Sequence, residues 1–308
     1  MIRFHFSALK TSCVCAAAVL LLSFGFALAE PLKLTVVLSE EGGAYLEYSN
    51  ALAALLADKN VTLNVINAEK PLPASGLVVA AGMKASLSVA RAKPAAMLAV
   101  LVPKEGFNKL LKEFTPQAKS SANALSAIYL DQPFKRQLDL ITAVLPHARS
   151  IGVLYSTAPA ELNKLRALAG ARKLEFRERS SVSSSSLYSN LQSLLLDSDV
   201  LLALPDAEIY NPSTIRNILL ATYRNKVPLV GFSSAYVKAG ALCAVFSTPA
   251  QIARQSLSII QEYTETGILP AAQFAKDFEV SINEQVAHSL GLNIRSVSQL
   301  RSEIGVVP

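Results

Sequence analysis

Asp206, Tyr210 and Asn211 stand close together in the run PDAEIYN, directly after the apolar run DVLLAL. Their side chains suit holding a ligand rather than transforming one. A carboxylate accepts from an amine or hydroxyl, a phenol stacks and hydrogen-bonds, and an amide both donates and accepts. A second polar pair, Ser233-Ser234, follows the apolar run VPLVGF. Tyr155 closes the apolar run SIGVLY and is followed by Ser156 and Thr157. Nearer the amino terminus, Glu40, Glu41, Gly42 and Gly43 follow KLTVVLS, and Gly82 and Met83 follow LVVAA. Glycines at such turns let the backbone approach a ligand, and a helix beginning there favours an anion. The two glutamates beside the Gly42-Gly43 pair weigh against phosphate.

Each of these residues also has a plain structural reading. Asp206 can bond its own backbone in a turn. Asn211 precedes Pro212 and can cap a helix. Tyr155 can be a core tyrosine with a satisfied hydroxyl. Asp131 and Gln132 read as structural residues of a hinge.

Nothing in the chain assembles a catalytic set. His147 and His288 have no triad or metal-ligand spacing with a second His or a Cys. No GxSxG or P-loop pattern occurs, and no pair of carboxylates stands out. Cys243, inside ALCAVF, reads as a small core residue. The chain is therefore read as a binder without metal or cofactor, not as an enzyme.

The elements that must carry these loops alternate along the chain. KLTVVLS, VTLNVINA, GLVVAAG, AAMLAVLVP, SAIYLDQ, SIGVLYST, LEFRERS, DVLLAL, VPLVGF and two later segments (241–247 and 276–282) read as strands. Helices are expected between most of them. In the helix over 44–59, Leu46, Leu52, Leu55 and Leu56 are expected on the apolar side. Ile215, Ile218, Leu219 and Thr222 share one face of another helix. Apolar runs without polar alternation are strands buried on both faces, the habit of parallel sheets covered by helices. About ten strands in this length suit two α/β lobes better than one sheet. The expected division is 30–130 plus 248–275 for one lobe and 131–247 plus 276–308 for the other. No Gly/Ser-rich linker separates them, so crossing strands are expected at 126–132, 241–247 and 274–277. In open sheets of this kind, ligands sit in the crevice outside the carboxyl ends of the strands.

Residues 1–29 read as a secretory signal. Arg3 and Lys10 precede an apolar run, and Ala27-Leu28-Ala29 predicts cleavage before Glu30. The whole chain carries 29 Lys plus Arg against 23 Asp plus Glu, a net charge of +6. With no basic run, no aromatic interleaving and no Trp, nucleic acid is excluded as a partner.

Several segments carry a family resemblance: LPHARSIGVLYST, SSVSSSSLYSNLQSLL, PDAEIYN, VPLVGFSSAYVKAGALCAVFSTPAQIARQ and KDFEVSINEQVAHSLGLNI. Over 133–294 the chain resembles the ABC-transporter substrate-binding proteins of the type I periplasmic-binding fold. Some of those proteins are linked to uptake of tryptophan or other aromatic amino acids. The resemblance implies two Rossmann-like lobes with parallel sheets, a multi-strand hinge, and a small ligand clamped between the lobes. It also implies a periplasmic monomer that delivers its ligand to an ABC permease in the inner membrane. A sensing or accessory protein of the same fold, signalling to a partner instead, is the alternative. By the family's pattern the ligand would meet Glu41, Gly42, Gly43, Gly82, Met83, Tyr155, Asp206, Tyr210, Asn211, Ser233 and Ser234. This chain departs from that pattern in two places. A Gly-Thr turn is replaced by Gly82-Met83, and an acidic pair is replaced by Ser233-Ser234.

Overall fold

The computed structural model describes residues 31–114, 124–181 and 184–305. The secretory signal expected over 1–29 lies outside them.

The first sheet is built from β1 (Leu32–Leu38), β2 (Val61–Asn67), β3 (Leu77–Ala81), β4 (Met97–Val102), β5 (Leu125–Tyr129) and, much later in the chain, β11 (Gln273–Phe274). Its order is β2-β1-β3-β4-β5-β11, with every pairing parallel. Helices α1 (Gly43–Leu56), α2 (Met83–Arg91) and α3 (Lys104–Phe114) join these strands.

The second sheet holds β6 (Ser150–Tyr155), β7 (Glu175–Ser180), β8 (Val200–Leu202), β9 (Leu229–Gly231), β10 (Cys243–Phe246) and β12 (Glu279–Ile282). Its order, β7-β6-β8-β9-β10-β12, repeats that of the first, except that β12 runs antiparallel to β10. With it come α4 (Phe134–Val144), α5 (Leu162–Ala171), α6 (Ser184–Leu196), α7 (Ile215–Arg224) and α8 (Ser234–Ala239). The chain closes with α9 (Pro249–Thr266), α10 (Glu284–Ser289) and α11 (Val297–Gly305).

The period-two alternation of side chains gives each sheet two cores. Val36, Val79 and Leu98 face Tyr48 and Leu52 of α1 and Ile252 and Ile259 of α9. Val37, Val78 and Met97 face Val89 of α2 and Phe107 of α3. In the second sheet, Val153, Val200 and Val230 pack on Leu138 of α4 and Leu165 of α5. Leu154, Leu201 and Leu229 pack on Leu191 of α6 and Ile218 of α7. The fold is thus an α/β fold of two mostly parallel six-stranded sheets, as the uninterrupted apolar runs predict.

Local expectations shift in two places, at Leu46 and in the strand over 276–282, while Cys243 sits in the core as expected. Leu46 is 42% exposed, because α1 buries Tyr48, Ser49, Leu52 and Leu56 instead. The strand expected over 276–282 begins only at Glu279, since the chain first pairs with β5 as β11 and then leaves for the second sheet. The lone cysteine among the described residues, Cys243, is fully buried, and burial pushes its thiol up to about 12. At neutral pH it offers no thiolate.

The chain passes between the sheets three times: after β5, after β10 and after β11. Side chains tie these passages together. Gln132 Nε2 donates to Ser247 Oγ at 2.9 Å, and Ser247 Oγ donates to the Asp277 carbonyl at 2.5 Å.

Candidate functional site

The carboxyl ends of the strands of both sheets enclose a cavity of about 240 Å³. Beside it lies a smaller space of about 40 Å³ that shares Glu105, Asp131, Phe134 and Pro159 with it. On the first sheet's side, Met83 comes from the first turn of α2, Pro103 from the residue before α3, and Glu105, Gly106 and Lys109 from α3 itself. The chain enters α3 through a bulge. Leu101 takes φ +55°, and the β4–β5 register shifts between Val100 and Val102. On the second sheet's side, Tyr155, Ser156 and Thr157 follow β6, and 204–208 follow β8. Asp131 and Phe134, at the first passage between the sheets, complete the lining.

Hydrogen bonds hold these walls in place. Asp131 Oδ2 accepts from the Lys104 backbone N–H at 2.6 Å, anchoring the first turn of α3. Asp206 Oδ2 accepts from Ser156 N–H at 2.6 Å and from Ser156 Oγ at 2.8 Å, while its Oδ1 accepts from Glu208 N–H at 3.0 Å. Asp206 therefore joins the β6 and β8 loops.

Two contacts bridge the walls directly. Lys104 Nζ meets Glu161 Oε2 at 2.6 Å, and Ala160 N–H donates to Glu105 Oε2 at 3.1 Å. Lys104 Nζ also sits 5.0 Å from the Phe274 ring centre and 5.8 Å from that of Tyr129.

Two carboxylates respond oppositely to these surroundings. Burial pushes Asp131 up to about 6; the Lys104 amide and charge oppose this only in part, and Glu105 adds to it. Burial also acts to raise Glu161. Its hydrogen bond and attraction to Lys104, helped by Lys164, nevertheless bring it below the usual carboxylate value.

Of the residues expected at a ligand, Met83, Tyr155 and Asp206 line the cavity. Gly82 lies just behind Met83 with φ +91°, a conformation that L side chains rarely adopt. A Cβ there would run into Ser39 Oγ and the Tyr45 ring. Ser39 Oγ already accepts from Ala85 N–H at 3.0 Å, so an amide of the first turn of α2 is taken by the protein itself.

The remaining expected residues sit elsewhere. Glu41, Gly42 and Gly43 lie at the start of α1 and do not line the cavity; Glu41 and Gly43 are exposed there. Tyr210 is 4% exposed and packs edge-on to Phe232, with ring centres 6.4 Å apart. Burial pushes its hydroxyl up strongly, and that hydroxyl has no hydrogen-bond partner among the described residues. The cause of this inward turn is local. Tyr210 N–H bonds back to the Asp206 carbonyl at 2.7 Å, coiling 206–210 so that the ring enters the core. Asn211 Oδ1 accepts from Ser213 N–H at 3.0 Å and its Nδ2 donates to the Ala207 carbonyl at 2.9 Å, a turn role. Ser233 and Ser234 begin α8 without lining the cavity.

Glu105, Lys109, Asp131 and Phe134 are cavity residues that the sequence reading did not assign to a ligand. The start of α3 follows a buried parallel strand, so the rule that ligands gather at carboxyl ends of strands points to it. Among the described residues no group of His, Cys, Asp or Glu is arranged to hold a metal ion, and no helix is long and apolar enough to cross a membrane.

Comparison with known proteins agrees with this architecture. A conserved domain protein from Vibrio cholerae O1 biovar eltor is similar at 21% identity and TM-score 0.65, over 89% of this chain and 98% of that one. An ABC domain from Streptococcus pneumoniae, solved in complex with L-Trp, is similar at 17% identity and TM-score 0.66, over 88% and 98% of the two chains. A substrate binding protein with adhesive properties from Clostridium difficile, solved ligand-free and open, is similar at 17% identity and TM-score 0.65, over 86% and 96%. These likenesses are of fold. A search of curated proteins returns no match. The family model described as ABC transporter substrate binding protein matches residues 75–300, most of both sheets. The chain belongs to the ABC transporter substrate binding protein family.

Proposed function

We propose that this chain is a periplasmic solute-binding protein that captures a small ligand between two lobes and hands it to an ABC permease. The observation that carries the reading is the 240 Å³ cavity, lined from both sheets at the carboxyl ends of their strands. The three passages between the sheets form its hinge, and closure would sequester the solute. Under this reading the lobes are 30–130 plus 248–275 and 131–247 plus 276–308, and residues 1–29 direct export and are removed. Binding needs no covalent step. The L-Trp complex of the Streptococcus domain is consistent with a small ligand in a fold of this kind.

The test is a thermal-shift screen of purified protein against amines, amino acids, sugars and nucleosides. A true ligand at 100 times its dissociation constant adds roughly 2.7 kcal/mol of stability and raises the melting temperature accordingly. If no solute in such a screen shifts the melting point, and no partner permease co-purifies, the capture role is overturned.

A further inference from the structure

Several donors around the cleft are already engaged with the protein's own carboxylates. Ser156 spends both its N–H and its hydroxyl on Asp206. Ala160 N–H is spent on Glu105, Lys104 N–H on Asp131, and Lys104 Nζ on Glu161. The charged groups that face the larger cavity are mostly carboxylates. That cavity is lined by four carboxylates, Glu105, Asp131, Asp206 and Glu208, against one ammonium, Lys109. Asp131 is the carboxylate placed to take a cation. It lines both cavities, it lies where the two sheets meet, and it forms no ion pair among the described residues. The nearby cation, Lys104 Nζ, is paired with Glu161, and an enclosed carboxylate with no ion pair of its own is costly until a cation arrives. Phe134 and Tyr155 add aromatic surface to the same cavity.

We propose that the cleft selects a small organic cation, an amine with an apolar or aromatic body and no carboxylate, and that its ammonium sits on Asp131. The proposal rests on the solute-binding reading above and names the ligand class for that same cavity. A free carboxylate on the ligand would meet Glu105, Asp131 and Glu208 with Lys109 as its one lining counter-charge. An uncharged solute would leave Asp131 without an ion pair.

The experiment is isothermal titration of the purified protein with four probes of similar size: phenethylamine, phenylalanine, phenylacetate and benzyl alcohol. Phenethylamine is expected to bind more than about tenfold tighter than phenylalanine, with the other two weaker still. Asp131→Asn keeps an acceptor for the Lys104 amide, so the fold is retained, and it is expected to weaken phenethylamine by more than about tenfold. Glu105→Gln, which keeps an acceptor for Ala160, serves as the second variant and is expected to weaken it by a smaller factor. Equal or tighter binding of phenylalanine, or unchanged affinity in both variants, overturns the cation assignment. Binding of benzyl alcohol or a sugar in place of the amine overturns it too, but leaves the solute-binding reading standing. Binding of nothing in the wider screen overturns both.

Discussion

Gln132 Nε2 lies 2.9 Å from Ser247 Oγ, although 115 residues separate the two along the chain. The bond joins the passage after β5 to the passage after β10. The same hydroxyl reaches the Asp277 carbonyl on the passage after β11. One serine thus ties together all three routes between the sheets. Gln132 is held from its other side as well, since its carbonyl accepts from Gln137 Nε2 at 2.8 Å.

Ser247→Ala removes this junction and leaves the Gln132 amide, 2% exposed, without its acceptor. An unsatisfied buried donor costs about 1–3 kcal/mol. Urea denaturation of the variant should show a loss in that range, and small-angle scattering should show a larger radius of gyration as the lobes splay. Unchanged stability together with unchanged dimensions would show that the junction is incidental to the hinge.

Asp131 makes stability depend on pH in a defined direction. Its carboxyl is pushed up to about 6 from an ordinary 3.8, by burial first, with Glu105 adding and the Lys104 amide and charge opposing. A folded-state value above the unfolded one means that the native protein holds this proton more tightly. Stability from this group is therefore present below pH 4, is lost as pH rises towards 6, and stays lost above. Asp131→Asn should remove that cost. The variant without ligand should be more stable than the parent at pH 7, by up to about 3 kcal/mol, and nearly equal to it at pH 4. Melting curves across that range check the sign, and a variant less stable at pH 7 would refute it.

Much of the scaffold could be read from the sequence because parallel strands leave a plain trace. VLL and LVG, the cores of DVLLAL and VPLVGF, are buried throughout, as unbroken apolar runs require. The site was harder to read, for reasons of geometry. Tyr210 looks like a ligand contact in PDAEIYN, yet the turn begun at Asp206 points its ring inward. Ser233 and Ser234 follow a strand as expected, and β9 pairs directly with β8, but there the two serines open α8 instead of joining the β6 and β8 loops that line the cavity. Asp131 is a solitary carboxylate beside a hinge, and its importance comes from residues distant in the chain, such as Tyr155 and Glu208, that gather around the same cavity.

Gly82 is a position where only the missing side chain permits the fold. Its φ of +91° excludes most residues, and a Cβ would strike the Tyr45 ring and Ser39 Oγ, both backed by packed structure. Gly82→Ala combines backbone strain with a clash and should cost about 2–4 kcal/mol. Guanidinium titration measures this. A loss below about 0.5 kcal/mol, the range of an ordinary surface change, would mean that the Ser39–Tyr45 wall yields freely.

Lys104 and Glu161 reach across the cleft, and their bond should govern opening more than folding. Their side chains are 26% and 33% exposed, so the pair contributes only about 0–1 kcal/mol to overall stability. Opening the lobes breaks this pair and the nearby Glu105–Ala160 bond while leaving both sheets intact, so even a small energy weighs heavily in that equilibrium. Raising salt to about 1 M shortens the screening length to about 3 Å and weakens such a pair. Small-angle scattering of the parent without ligand should therefore report a more open molecule at high salt than at low salt. Glu161→Gln should be open at both, with a melting temperature close to the parent's. If the parent's dimensions ignore salt and match those of Glu161→Gln, the Lys104–Glu161 contact does not hold the lobes together.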